Sequence, residues 1–188
     1  MPSPAPVKPG TLRAEQIILF RIGEQLFALS SSSVQEVRGA DSLSGGASKI
    51  AAPGVDKVRQ FVRRGANTLF LVSGAAHFGL PAPDGVLALV LRNTRTALLV
   101  DGIERMTTMT RLQALPLSFC HEERQWYRGL TELQQTVVPV VRPEGFLSDE
   151  ELTMLDAAVP PAQEPREETD RAFEAEARTD TDLDTELN

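Results

Sequence analysis

A chain of 188 residues, 41% hydrophobic and 24% charged, is long enough for one or two compact domains. With only 5% aromatic residues, its core must be built from Leu, Val, Ile and Ala, and no apolar stretch approaches the ~20 residues of a membrane-crossing helix. The N-terminus lacks the apolar segment of a secretory signal, and Cys120 stands alone, which excludes an intrachain disulfide and suits a reducing, cytoplasmic setting. The formal charge of −7 belongs to the end of the chain: residues 160–188 carry ten Asp/Glu against three Arg, whereas the first 159 residues carry sixteen acids and sixteen cations. The body therefore has none of the basic excess that marks a nucleic-acid surface.

Residues 1–14 hold four prolines and little to bury, and read as a disordered leader. From Gln16 the pattern becomes apolar: residues 17–22 and 25–29 flank Gly23-Glu24 and predict a hairpin. Ser33 followed by Glu36 is a capping-box spacing, which predicts a short helix or turn from Val34 to about Arg38, ended by Gly39. The serine run lacks a nearby histidine, so capping explains it better than nucleophilic chemistry. Residues 40–53, rich in Gly, Ser and Ala, read as loop.

Lys57, Arg59, Arg63 and Arg64 then place four cations in eight residues, ending at Gly65. Such a run is either a solvated face or a basic patch for an acidic partner. Residues 68–72 form a further strand, broken at Ser73-Gly74, and His77 lies in what reads as a loop, with no carboxylate or cysteine at ligand spacing. Residues 86–91 and 97–100 are apolar runs joined by Arg92-Asn93-Thr94-Arg95, a tetrad suited to a tight turn because Asn tolerates positive φ. Neither run alternates, so both faces of this hairpin should be covered.

Met106, Met109, Leu112 and Leu115 recur every three residues and suggest a helical or irregular crossover over residues 104–117. Cys120-His121-Glu122-Glu123 has metal-ligand residue types, but neighbours in sequence rarely converge on one ion, so the stretch reads as a surface loop and no metal is expected. Residues 126–133 and 136–142 form another strand pair joined at Gln134-Gln135, and Pro139 argues for an edge or bulge in the second. Ser148-Asp149-Glu150-Glu151 opens a helix that Pro160-Pro161 stops. Hairpins without long intervening helices argue for antiparallel barrels over a parallel α/β sheet. Phosphate loops, dinucleotide-binding turns, HExxH, GxSxG and spaced cysteine pairs are absent from the sequence, so neither catalysis nor a cofactor is expected.

VQEVRG at residues 34–39, VLALVLRNTRTALLVDGIERM at 86–106 and YRGLTELQQTVVPVVRPEGFLSDEELTMLD at 127–156 resemble, in order and spacing, a CheW-type coupling protein of bacterial chemosensory systems. The resemblance implies a mostly β fold of two SH3-like five-stranded antiparallel barrels packed together, with a C-terminal helix. Leader, CheW-like domain and acidic disordered tail would then occupy residues 1–14, 15–158 and 159–188. It further implies a non-catalytic, cofactor-free adaptor that couples chemoreceptors to the histidine kinase CheA, in the cytoplasm at membrane-associated receptor arrays. The implied partners are the cytoplasmic tip of a chemoreceptor and the regulatory domain of CheA, with no nucleic acid and no membrane insertion. The receptor-binding residues carried over are Val34, Glu36, Arg38, Arg64 and Gly65. Where the family has Asn-Leu-Arg-Gly, a strand and Asp-Leu, this chain has Val62-Arg63-Arg64-Gly65 and Ser73-Gly74. The alternative from the residues alone is an unrelated small β-barrel protein-binding module.

Overall fold

The computed structural model describes residues 14–161. Most of the expected proline-rich leader and acidic tail lies outside the described residues. Eleven strands form two sheets. The five-stranded sheet contains β1 (Glu15–Ile22), β2 (Gln25–Ser30), β9 (Gly102–Met109), β10 (Tyr127–Leu133) and β11 (Thr136–Val141), in the order β10-β11-β2-β1-β9. The six-stranded sheet contains β3 (Val34–Gly39), β4 (Ala47–Lys49), β5 (Val58–Arg64), β6 (Asn67–Ser73), β7 (Leu87–Leu91) and β8 (Thr96–Val100), in the order β3-β7-β8-β6-β5-β4. The second sheet is thus inserted between the second and third strands of the first. Short helices α1 (Ala40–Ser44), α2 (Gly74–Phe78) and α3 (His121–Trp126) lie between strands, and α4 (Asp149–Ala158) follows the last one.

The expectation of two five-stranded antiparallel barrels needs correcting. One sheet has six strands, each sheet contains a parallel pair (β11 with β2, β6 with β8), and neither closes by strand pairing. Reasoning from hairpins alone misses parallel neighbours, because those strands are joined through other elements. Both sheets nevertheless curl. Past β9, Gln113 exchanges two backbone hydrogen bonds with Leu130 of β10, at 2.7 and 2.9 Å, and Arg105 reaches Gln134 at 3.1 Å. In the six-stranded sheet the Glu36 and Arg64 side chains join strands near its opposite ends.

Curling gives each sheet an inside and an outside. Ile17, Leu19, Ala28, Met109, Val138 and Val140 fill the first, and Leu43, Leu69, Leu71, Ala88, Val90 and Ala97 fill the second. The outer faces meet in a seam that includes Ile18, Phe20, Phe27, Leu89, Leu98 and Val100. The central hairpin therefore does bury both faces: Ala88 and Val90 point inward, Leu89 and Leu91 into the seam. At about 1.5–3 kcal/mol per fully buried large aliphatic, this non-alternating pair is a major source of stability.

Where that hairpin hands the chain to the other sheet, Asp101 ties the two together. Its carboxylate accepts from the Gly23 amide at 2.5 Å, and its own amide donates to the Arg21 carbonyl at 2.8 Å. Gly23 sits at φ +58° in the β1–β2 turn, a left-handed conformation that costs glycine little. The Val-Asp-Gly ending of the hairpin is thus a joint between sheets.

Several local expectations are overturned. Val34 to Arg38 is strand, not helix: Val34 and Val37 pair with Leu91 and Leu89 of β7, and Glu36 turns to arginines instead of a helix start. Residues 40–53 contain α1 and β4, because Leu43 is drawn into the inner core. Residues 102–109 are strand β9, not a helical crossover. A spacing of three puts Met106 and Met109 on opposite faces of a strand, so Met109 is buried while Met106 is exposed. Cys120 to Glu123 is the start of α3, with Cys120 Sγ accepting from the Glu123 amide and the Glu123 carboxylate accepting from the Cys120 amide. Pro139 does not lie on an edge strand, since β11 stands between β10 and β2; its pairing to β2 is a single bridge, Val140 with Ala28, and the β10–β11 register slips between Tyr127 and Gly129.

Candidate functional site

Val34, Glu36 and Arg38 lie on β3, one outer strand of the six-stranded sheet, and a bulge between Val34 and Glu36 resets which side chains face inward. Val34 is buried in the seam, and its carbonyl accepts from Arg92 Nε at 3.1 Å. Past the bulge, Glu36 and Arg38 stand opposite the inward-facing Val90 and Ala88. The Glu36 carboxylate accepts from Arg38 Nε at 2.9 Å on one oxygen and from the Arg64 guanidinium on the other. Arg64 comes from the end of β5, immediately before Gly65 at φ +60° in the turn to β6. Gly65 is exposed and sets that turn.

Residues 28 positions apart are thereby brought to one mouth of the curled sheet. The Arg64 hydrogen bond is the main cause that holds the Glu36 carboxyl below its ordinary range, with Arg38 adding to it. One carboxylate between two guanidiniums leaves a local excess of one positive charge and several unused N–H donors. Beside this cluster Arg64 also borders an open cleft of about 660 Å³, whose walls include Leu69, Leu91, Leu147 and Leu152, with Glu144 and Asp149 on its rim. An open, apolar-based cleft beside a fixed charge cluster is suited to gripping a protein surface.

The four cations of the basic run do not form one patch. Arg64 belongs to the cluster just described. Lys57 is largely buried and bonds Glu151 of α4 at 2.7 Å. Arg63 is exposed, stands over the Phe61 ring and donates to the Pro160 carbonyl. Arg59 is exposed and borders one cleft shared with Lys57 and Asp84 and another shared with Lys49. Side chains on one strand point to opposite faces, so a dense cluster in sequence becomes dispersed in space.

His77 does not lie in a loop. It lies in α2, is 5% exposed, and packs among Phe78, Trp126 and Phe146 with ring centroids 4.7–5.0 Å away. Its Nδ1 is 3.4 Å from Lys57 Nζ, and Nε2 has no partner among the described residues. Burial, aided by the Lys57 charge, pushes its pKa down to about 3. Among the described residues no three His, Cys, Asp or Glu side chains converge as a metal site would require, and no helix is long and apolar enough to cross a membrane.

Sequence reasoning did not single out Arg95, which lines the same cleft, or its partner Asp156. Arg95 donates to both Asp156 oxygens at 2.7 and 2.5 Å, donates to the Thr68 carbonyl and stacks over Phe70. No spacing signal links residues 61 positions apart; only the docking of α4 brings them together.

The family model for CheW-like domains matches residues 16–151. No curated protein matches the chain. Among solved structures, the scaffolding protein TtCheW from Thermoanaerobacter tengcongensis is similar at a TM-score of 0.59 and 12% identity, covering 74% of this chain and 96% of that one. At that identity the likeness speaks for the fold.

Proposed function

This chain belongs to the CheW-like domain family, and we propose that it is a non-catalytic adaptor coupling the cytoplasmic tip of a chemoreceptor to the regulatory domain of CheA. The observation that carries the reading is the convergence of Glu36, Arg38 and Arg64, from two strands, in one charge cluster whose Arg64 borders an open cleft. These are the positions that the family resemblance assigns to receptor contact. Val34 supports the groove from below by fixing β3 against the seam, and Gly65 positions Arg64 through its turn. A helical receptor tip would lay apolar residues along such a groove and set charged ones against the arginines. The remaining basic residues Lys57, Arg59 and Arg63 lie away from this groove and take no part in it. In this role the protein would work in the cytoplasm, at membrane-associated receptor arrays.

The test is a pair of separate pull-downs with purified full-length chain, one on an immobilised receptor tip and one on the CheA regulatory domain. Retention on both supports coupling. Retention on neither would overturn the coupling role and leave a CheW-like domain that binds other protein partners as the better description.

A further inference from the structure

The opposite edge of the six-stranded sheet carries a second charged surface. Lys49 ends β4, the outermost strand, and pairs in register with Gln60 of β5. The Ile50 amide donates to the Arg59 carbonyl at 3.0 Å, which holds the Lys49 and Arg59 backbones side by side. An open cleft of about 590 Å³ is lined by Lys49, Ile50, Ala51, Arg59 and Gln60: two cations and no carboxylate. Asp56 borders one neighbouring cleft and Asp84, with Lys57, another, and Arg59 lines both. Among the described residues neither Lys49 nor Arg59 enters an ion pair.

Four residues further along β5, about 13 Å at strand spacing, Arg63 donates to the Pro160 carbonyl. That bond fixes where the chain leaves α4, and Val159 packs against the same core as Phe61. Beyond this point the sequence carries ten acids and three arginines, the first acids being Glu164, Glu167 and Glu168. Four extended residues span at most ~14 Å, so Glu164 can reach Arg59 from Pro160, and Glu167 and Glu168 can reach Lys49. Attachment at Pro160 makes the encounter intramolecular, at an effective concentration that free acidic peptides in solution do not match.

We propose that the acidic segment starting at Glu164 docks in cis on the Lys49–Arg59 cleft, beginning from the Arg63–Pro160 contact. The docked segment covers the open edge at β4 and competes there with any acidic protein surface. The surface is separate from the Glu36–Arg64 groove, so the inference stands independently of receptor coupling.

Carbodiimide cross-linking of the full-length chain tests this, because it joins a carboxylate to a lysine amine at contact. The reactive amines are the α-amine, Lys8, Lys49 and Lys57, and Lys57 is already paired with Glu151. At low salt, peptide mapping should find Lys49 joined to Glu164, Glu167 or Glu168 within one molecule, as judged by mixing isotope-labelled and unlabelled chains. The yield should fall at least fivefold in 0.5 M NaCl and in an Arg59→Gln/Arg63→Gln variant. Both replaced residues are exposed, and circular dichroism checks the fold. A Lys49 without cross-links, a yield indifferent to both salt and variant, or links only to Lys8 or between molecules would overturn the proposal. Should the variant unfold, the salt dependence of the wild-type yield decides alone.

Discussion

Glu36 and His77 are the two residues whose surroundings dictate behaviour that their chemistry alone does not. Glu36 bridges two arginines at the mouth of a curled sheet, so Arg64 has a structural duty besides any contact with a partner. Arg64→Ala should cost about 1 kcal/mol in urea unfolding, the upper end for partly exposed pairs, and Arg64→Glu about twice that, because two like charges then face each other. An Arg64→Glu protein as stable as wild type would show that the pair does not hold the mouth together. His77 binds its proton more weakly in the folded chain, at about 3, than in the unfolded one, near 6.5. The unfolded state therefore takes up more protons between those values, and stability must rise with pH across that window. The lowered carboxyls of Glu36 and Asp156 act in the same direction but only below about 4.5. Between pH 6.5 and 5 the decline belongs to His77, with a slope approaching about 1.4 kcal/mol per pH unit. His77→Gln should flatten it in urea titrations at stepped pH; a wild-type curve flat over that range would contradict the burial argument.

Among the elements, α4 is the one whose formation and docking can be separated. Ser148 and Glu151 cap it reciprocally, at 3.2 and 2.9 Å, and Glu151 also holds Lys57. Leu155 is fully buried against Phe61, Phe70 and Leu147, and Asp156 clamps Arg95. Ser148→Ala should cost about 1 kcal/mol, the usual value of an N-cap. Leu155→Ala should cost about 2–5 kcal/mol, because it leaves a cavity under the helix. Equal losses for the two variants would mean that the helix is not docked on the sheet. This helix was fully legible in the sequence, as were the central hairpin and the Gln134-Gln135 turn, where both residues take positive φ. Their signals are local and agree with the tertiary structure. Strand β3 was not legible, because its capping-box spacing is equally local but is outvoted by pairing with β7. Strand β9 was hidden by a chance three-residue recurrence of Met and Leu. At the site, family resemblance named Glu36, Arg38 and Arg64 together, whereas local reading made Glu36 a cap. Nothing in the spacing could show that a single carboxylate serves both arginines.

At the scale of the whole molecule, two curled sheets share one apolar seam and are locked by Asp101 on the Gly23 turn. The seam is built from side chains held on both sides, so the fold offers rigid, separate surfaces instead of an enclosed chamber. The proposed adaptor role asks of this geometry that one partner bind the Glu36–Arg64 cluster while another binds elsewhere, with little rearrangement between them. The most direct measurement is a three-component one. A receptor tip is immobilised, the CheA regulatory domain is passed over it, and retention of the kinase domain is recorded with and without the full-length chain. The account predicts retention only when the chain is present, and its loss with Arg64→Glu even though that variant still binds the kinase domain in solution. Failure of the wild-type chain to hold the kinase domain on the receptor surface would contradict it.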